Sequence, residues 1–326
     1  MKRCIVTGGA GFIGSHLEEK LIKKNFSVTV IDNFSTGRMQ NLSQVKNKIK
    51  IVKKDITSEK NLNKYFKGVK YVFHLAAKAD IVPSIEQPKL YYDTNVSGTL
   101  NILEACRKHK IKKIIYAASS SSYGLAKYFP TNETSKINPE YPYAFTKHLG
   151  EELIAHWSKV YNLDFISLRL FNVYGIRSRT SGAYGAMFGV FLAQKINNKP
   201  LTVVGNGKQS RDFTYVTDIA DAFYKAAISK KKNEIINIGT GKPTAVIDIA
   251  KKLRSSYVFI KKRPGEPDKT HSSTIKAKKI LNWKSKISIN KGIKIMLNNI
   301  NLWKNAPIWT KSKINKSTKT WFKYLK

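Results

Sequence analysis

The chain of 326 residues carries 59 Lys and Arg against 21 Asp and Glu, a formal net charge of +38 at neutral pH. Its 42% hydrophobic and 11% aromatic content excludes wholesale disorder, and it holds no apolar run near the ~18 residues that a membrane span needs. Only nine of the basic residues are Arg, and the Lys are scattered through every segment without an aromatic-interleaved stripe, which argues against specific nucleic-acid binding.

The first half alternates β-like and helical runs. Strands are predicted at Arg3–Thr7, Ser27–Ile31, Ile49–Val52, Tyr71–Leu75, Lys113–Ala117 and Phe165–Leu170. Between them lie amphipathic stretches at Ile13–Lys24, Lys89–Lys110 and Tyr143–Tyr161. This alternation predicts an α/β fold, a Rossmann doubly wound parallel sheet. After Gly175 the pattern loosens into a helix near Tyr184–Ile196, a strand at Leu201–Val204, a strand–helix unit at Phe213–Ile228 and a strand at Glu234–Ile238. We expect a dinucleotide-binding domain over residues 1–172 and, over 173–326, mainly a smaller α/β substrate-binding lobe with segments returning to the first domain. The tail from Asn301 carries Trp303, Trp309, Trp321, Phe322 and Tyr324, which read as aromatics pinning a terminal segment to the body. Cys4 and Cys106 have no metal-like spacing, so no metal site and no disulfide framework are expected. The opening residues do not read as a signal peptide, and a cytoplasmic setting follows.

Thr7-Gly8-Gly9-Ala10-Gly11-Phe12-Ile13-Gly14 joins the first strand to the first helix. Glycines there permit a tight turn and close approach of the backbone to a pyrophosphate, and the helix N-terminus offers free N–H groups and a positive dipole end. Asp32 closes the second strand, where a carboxylate can hold both ribose hydroxyls of NAD and repel a 2′-phosphate; Arg38 nearby softens that exclusion. Asp55-Ile56 follows the third strand and suits the adenine amino group.

Tyr143 and Lys147 stand four apart, on one face of a helix. A free phenol has a pKa near ~10, so its anion must be stabilised by roughly 4 kcal/mol to be half populated at neutral pH. A neighbouring ammonium and a positive nicotinamide supply that. The run Ser119-Ser120-Ser121-Ser122-Tyr123-Gly124 follows a strand, at the sheet edge where open α/β folds bind ligands.

On these motifs the chain resembles the extended short-chain dehydrogenases/reductases that act on nucleotide sugars, a NAD-dependent epimerase/dehydratase family, and above all the UDP-glucose 4-epimerase-like enzymes. The likeness runs from Lys2 to about Gly292. It takes in His74-Leu75-Ala76-Ala77, Asn95-Val96-Ser97-Gly98-Thr99, Arg169 through Gly175, Arg211 through Asp218, and Arg263-Pro264-Gly265-Glu266. It implies that NAD is held by Gly8, Gly11, Phe12, Ile13, Gly14, Asp32, Asn33, Asp55, Ile56, Leu75, Ala76, Ala77, Asn95, Tyr143 and Lys147. Catalysis would fall to Ser119, Tyr143 and Lys147. Substrate would meet Ser119, Ser120, Asn172, the diphosphate-binding Arg211 and Arg263, and Thr270, which stands where a bulky Tyr narrows the sugar pocket in epimerases; a one-residue shift of the alignment would put His271 there instead.

The activity implied is 4-epimerisation of a UDP-linked sugar through a transient 4-keto intermediate, serving cell-surface polysaccharide or sugar-nucleotide metabolism, by a homodimer. The related 4,6-dehydratases carry an Asp-Glu pair where Ser120 and Ser121 stand, and the UDP-glucuronate decarboxylases a Glu at Ser121, which disfavours both. A reductase on the same scaffold is a further alternative, and a non-catalytic nucleotide- or RNA-binding protein a distant one. Beyond about Gly292 the chain is longer than in typical epimerases, and that extension carries no functional assignment.

Overall fold

A computed structural model describes residues 1–58, 62–178 and 187–325. Its strands in chain order are β1 (Lys2–Thr7), β2 (Phe26–Asp32), β3 (Ile49–Lys53), β4 (Tyr71–His74), β5 (Lys113–Ser119), β6 (Asp164–Leu170), β7 (Val173–Tyr174), β8 (Leu201–Val204), β9 (Ser210–Arg211), β10 (Thr214–Tyr215), β11 (Glu234–Ile238), β12 (Thr244–Ala245) and β13 (Tyr257–Ile260). The α-helices are α1 (Phe12–Ile22), α2 (Ile81–Glu86), α3 (Pro88–Tyr92), α4 (Gly98–Lys108), α5 (Pro142–Tyr161), α6 (Met187–Ile196), α7 (Val216–Ile228), α8 (Val246–Lys252), α9 (Ile275–Leu281), α10 (Ile289–Asn298), α11 (Lys311–Ser317) and α12 (Lys319–Tyr324).

Seven strands form one parallel sheet in the order β3-β2-β1-β4-β5-β6-β11. The order reverses between β1 and β4, which opens a crevice at the carboxyl ends of these strands. Alternation along the strands sends side chains to two apolar layers. Val6, Val28, Phe73, Ile166 and Ile236 pack with Leu17, Ile219, Phe223 and Trp283 on one face. Ile5, Ile31, Val72, Ile114 and Phe165 pack with Ile102, Leu103 and Ile154 on the other. Burial on both faces is why these strands read as near-continuous apolar runs.

A third core lies outside the sheet. Tyr174, Phe188, Phe191, Leu201, Val203, Phe213, Tyr215, Ile293, Met296 and Trp303 pack around α6, β8 and α10. Short pairs β7–β10, β9–β12 and β8–β13 frame this lobe, while β11 returns to the edge of the main sheet beside β6.

The predicted helix over Lys89–Lys110 is divided. A wide π-turn at Asp93–Ser97 separates α3 from α4 and carries Asn95. Such bulges often mark functional positions. Along α4 and α5, Leu103 and Ile154 are sealed in the sheet core, whereas Leu100, Leu149 and Leu153 are only half-buried. Of the helix expected near Tyr184–Ile196, α6 begins at Met187; Tyr184 lies outside the described residues. Cys4 and Cys106 are buried and unpaired. No helix among the described residues is long and apolar enough to cross a membrane.

Candidate functional site

The glycine loop is closed by contact rather than by side chains. Gly8 has φ +70°, and a Cβ there would lie 2.7 Å from the Ala76 nitrogen. A Cβ on Gly14 would lie 2.4 Å from the Gly8 carbonyl oxygen, so α1 reaches the loop only because that carbon is missing. Gly11 caps α1 without a side-chain hydrogen bond, leaving first-turn N–H groups for a phosphate. The backbone cradle thus fits a dinucleotide pyrophosphate.

Asp32 is buried at the tip of β2. Its Oδ2 accepts from Ala10 N–H at 2.9 Å and its Oδ1 from Phe34 N–H at 2.7 Å. Burial raises its pKa, and these two hydrogen bonds partly offset the rise. Asn33 donates to Asp55 Oδ2 at 2.6 Å, and Thr57 donates to Asp55 Oδ1 through both its N–H and its hydroxyl. Burial works against ionising Asp55, but the bonds from Thr57 and Asn33 and the nearby Lys78 outweigh it and hold the carboxyl below its usual range. Ile56 packs instead into the sheet core, with its carbonyl accepting from Asn101. Phe12 and Ile13 turn toward the core of the second lobe, Ile13 also reaching the cleft wall.

Leu75, Ala76 and Ala77 follow β4 and are fastened from below. Thr7 Oγ1 accepts from the Leu75 and Ala76 N–H groups at 3.2 Å and bonds His74 Nδ1 at 2.7 Å. His74 Nε2 lies 2.9 Å from Thr99 Oγ1, which donates to the Asn95 carbonyl. Burial, with Lys147 nearby, lowers the His74 pKa to about 3, so this imidazole is a neutral strut. The Asn95 amide grips Lys78, accepting from its N–H at 2.8 Å and donating to its carbonyl at 3.0 Å, and also donates to Thr146. Asn95 therefore shapes the 75–78 loop from within.

These elements open on a cleft of about 490 Å³ lined by Ser119, Ser120, Tyr143 and Lys147 on one side and by Asn172, Arg211, Arg263 and Thr270 on the other. Pro142 occupies the first turn of α5 and sets its start, so Tyr143 projects from the helix entrance and Lys147 one turn later. The Tyr143 hydroxyl donates to Ser119 Oγ at 3.3 Å, and Ser119 Oγ lies 2.7 Å from Ser121 Oγ. Burial raises the Tyr143 pKa, countered by hydrogen bonding with Ser119 and Ser121. Burial lowers Lys147 to about 7, countered by Glu151. The Lys147 ammonium lies 4.1 Å from the centroid of the Tyr116 ring.

At the far end Arg211 pairs with Glu266 Oε1 at 3.0 Å and Arg263 with Glu266 Oε2 at 3.4 Å. One carboxylate thus spans both guanidiniums. Burial pulls Arg263 down to about 10, against the pull of Glu266. Thr270 is held in place, donating to Asn172 Oδ1 at 2.7 Å and accepting from Asp212 N–H at 3.1 Å. Among the described residues the one cluster with ligand-like spacing is His148, Glu151 and Glu152, and Glu151 is already committed to Arg169 at 2.6 Å.

Sequence reasoning missed Ser121 as a partner of Ser119, Glu266 as the shared counter-ion, and Glu18. Glu18 lies buried beneath the loop: a Cβ on Gly9 would fall 2.0 Å from its Oε1, and neither oxygen has a hydrogen-bond partner among the described residues. Burial, then Asp32 and Glu19, hold its carboxyl well above the usual range, against the pull of Arg177. Two adjacent glutamates in an amphipathic helix give no sign of which one turns inward.

The family model described as the NAD dependent epimerase/dehydratase family matches residues 4–239. A putative UDP-glucose 4-epimerase of Methanocaldococcus jannaschii is 40% identical over 90% of this chain and 97% of its own length. A UDP-N-acetyl-alpha-D-glucosaminuronate decarboxylase of Bacillus cytotoxicus is 36% identical over 77% of this chain and 79% of its own. The crystal structure of a UDP-glucose 4-epimerase from Thermotoga maritima with UDP-glucose superposes with a TM-score of 0.87 at 34% identity, covering 92% of this chain and 98% of that one.

Glu18 yields a test of the loop's foundation. Ordinary Glu ionises near ~4.3. Because its folded pKa is raised, Glu18 holds a proton that the unfolded chain releases, so stability falls as pH rises above that ordinary value. We expect Glu18→Gln to unfold at a higher temperature than the wild type at pH 8, with the gap closing toward pH 4. A gap independent of pH would contradict this.

Proposed function

The chain belongs to the NAD-dependent epimerase/dehydratase family, and on that premise we propose that it inverts C4 of a UDP-linked sugar. The observation that carries the reading is the Ser119–Tyr143 hydrogen bond, with Lys147 beside it, at one end of a cleft whose other end holds Arg211 and Arg263. Bound NAD supplies the hydride acceptor at C4 and the donor that returns hydride to the opposite face of the 4-keto sugar. The remaining work falls to the chain. The glycine loop takes the cofactor pyrophosphate, Asp32 its adenosine ribose, and Lys147 the nicotinamide ribose. Ser119 holds the 4-oxygen, and Tyr143 removes the hydroxyl proton and gives it back. Arg211 and Arg263 grip the diphosphate, a task suited to planar guanidinium forks, while the sugar turns.

The decarboxylase relative makes decarboxylation the rival reading. Against it stands Ser121, whose hydroxyl is joined to Ser119 at 2.7 Å where that chemistry would want a carboxyl group. The small Thr270, tied to Asn172, leaves room on the sugar side, so we assign a substrate range that includes 2-acetamido sugars and hexuronates. We further propose a division into lobes near residue 172, and a homodimer through α4 and α5, where Leu100, Leu149 and Leu153 are half-buried and Phe145 is exposed. Two buried, unpaired thiols are in keeping with a reducing cytoplasm.

Three outcomes test these points. Tyr143→Phe should lower kcat by roughly a hundred- to ten-thousand-fold while NAD content and unfolding temperature hold; near-normal turnover would refute the assigned base. Kinetics should give UDP-N-acetylglucosamine a kcat/KM at least equal to that of UDP-glucose, and Thr270→Tyr should depress only the acetamido sugar. An unchanged preference would remove Thr270 as the gate. Sedimentation at micromolar concentration should give a dimer, and a monomer would end the interface proposal.

A further inference from the structure

The C-terminal segment forms part of the cleft wall. It is anchored at three points, each on a different part of the molecule. The Trp309 carbonyl accepts from Gln194 Nε2 on α6 at 2.6 Å. Thr320 Oγ1 donates to Glu86 Oε1 on α2 at 3.0 Å. Trp321 Nε1 donates to the Pro264 carbonyl at 2.6 Å, on the turn that carries Arg263 and Glu266. The strap thereby bridges the sheet domain and the second lobe, and it sends Ile314 and Trp321 into the cleft wall beside Tyr141, Tyr143, Arg211 and Arg263.

Trp321 is fully buried, and its surroundings are specific. Its ring lies 6.2 Å from that of Tyr141, tilted by 52°, and Tyr141 in turn stacks on Tyr143 at 6.4 Å and 8°. The Arg263 guanidinium lies 5.8 Å from the same indole centroid. One rigid plate therefore touches both the aromatic tier behind Tyr143 and the cation at the phosphate end. A guanidinium grips phosphate oxygens in pairs only when its plane is held, and a desolvated cation is favoured over an indole face. The carboxylate of Glu266 is shared between Arg263 and Arg211, so it fixes the charge of Arg263 less firmly than a dedicated partner would. The motifs that carry the family resemblance end near Gly292, well before this strap.

We propose that Trp321 is a positioning residue for the substrate: pinned to Pro264, it orients Arg263 toward a nucleoside diphosphate and, with Ile314, closes the outer wall around it. This rests on the reading of the cleft as a nucleotide-sugar site, and a binding measurement separates the two. UDP is titrated calorimetrically into the NAD-loaded full-length protein, the wild type beside Trp321→Leu, which keeps apolar bulk, and Trp321→Phe, which keeps an aromatic plate. The wild type should bind UDP. Trp321→Leu should bind it about tenfold more weakly, the loss of a desolvated cation–ring contact, with unchanged NAD content. Trp321→Phe should recover most of the affinity, and in turnover the Leu variant should raise KM with little change in kcat. Equal UDP affinity in all three proteins would overturn the role of Trp321 and leave the function reading standing. A wild type that does not bind UDP would overturn both.

Discussion

The burial of an ammonium and a phenol one helical turn apart, on the wall of the same cleft, is the constraint on which the site depends. Lys147 is almost sealed from solvent, its head group over the Tyr116 ring, and burial draws it down to about 7 against the pull of Glu151. The same burial raises Tyr143. Burial makes each group resist ionising by itself, whereas a phenolate and an ammonium formed together would attract strongly where water is excluded. Ser119 and Ser121 tilt the balance further by hydrogen bonding the phenolic oxygen's side of the pair. On the proposed reading Tyr143 serves as a base without help from a carboxylate or a histidine; the nearby His74 is a neutral strut.

The rest of the fold holds that geometry still. Tyr116 and Ser119 lie on β5, Tyr143 and Lys147 on α5, and the two elements are locked beneath the cleft by a buried polar network. Glu151 on α5 takes Arg169 from β6 at 2.6 Å and Ser167 Oγ at 2.6 Å. Arg169 also donates to the Tyr123 hydroxyl at 2.9 Å, and Tyr123 donates to Asn237 on β11 at 2.7 Å. Removing one member of such a buried pair typically costs about 3–5 kcal/mol, because the remaining charge is stranded. The late strand β11 is thus tied to the turn that follows Ser119, and the second lobe brings Arg211, Arg263 and Thr270 to the cleft.

How much of this was legible in the sequence follows from how local each feature is. The glycine loop, Asp32 at a strand tip, and Tyr143 with Lys147 are set by spacing within single elements, so periodicity and position sufficed. The parallel sheet followed from strand–helix alternation. Ser119 was legible because it follows a strand, whereas its partnership with Ser121 depends on how the chain turns after β5. Glu266 spanning two arginines, Glu18 turning inward under Gly9, and Trp321 entering the cleft all depend on segments distant in sequence meeting in space. The tail aromatics read as anchors. Trp303 is one, while Trp321 also faces the site. The π-turn at Asp93–Ser97 was not legible because the backbone stays helical through it and no proline marks it.

The central claim is that Tyr143, Lys147 and Ser119 support a hydride that leaves C4 and returns to it without exchanging with water. A UDP-hexose carrying deuterium at C4, turned over in ordinary water and read by NMR, tests that most directly. The account predicts that the product epimer keeps the full label at C4. Loss of deuterium to solvent at C4, or epimerisation elsewhere on the ring, would contradict it.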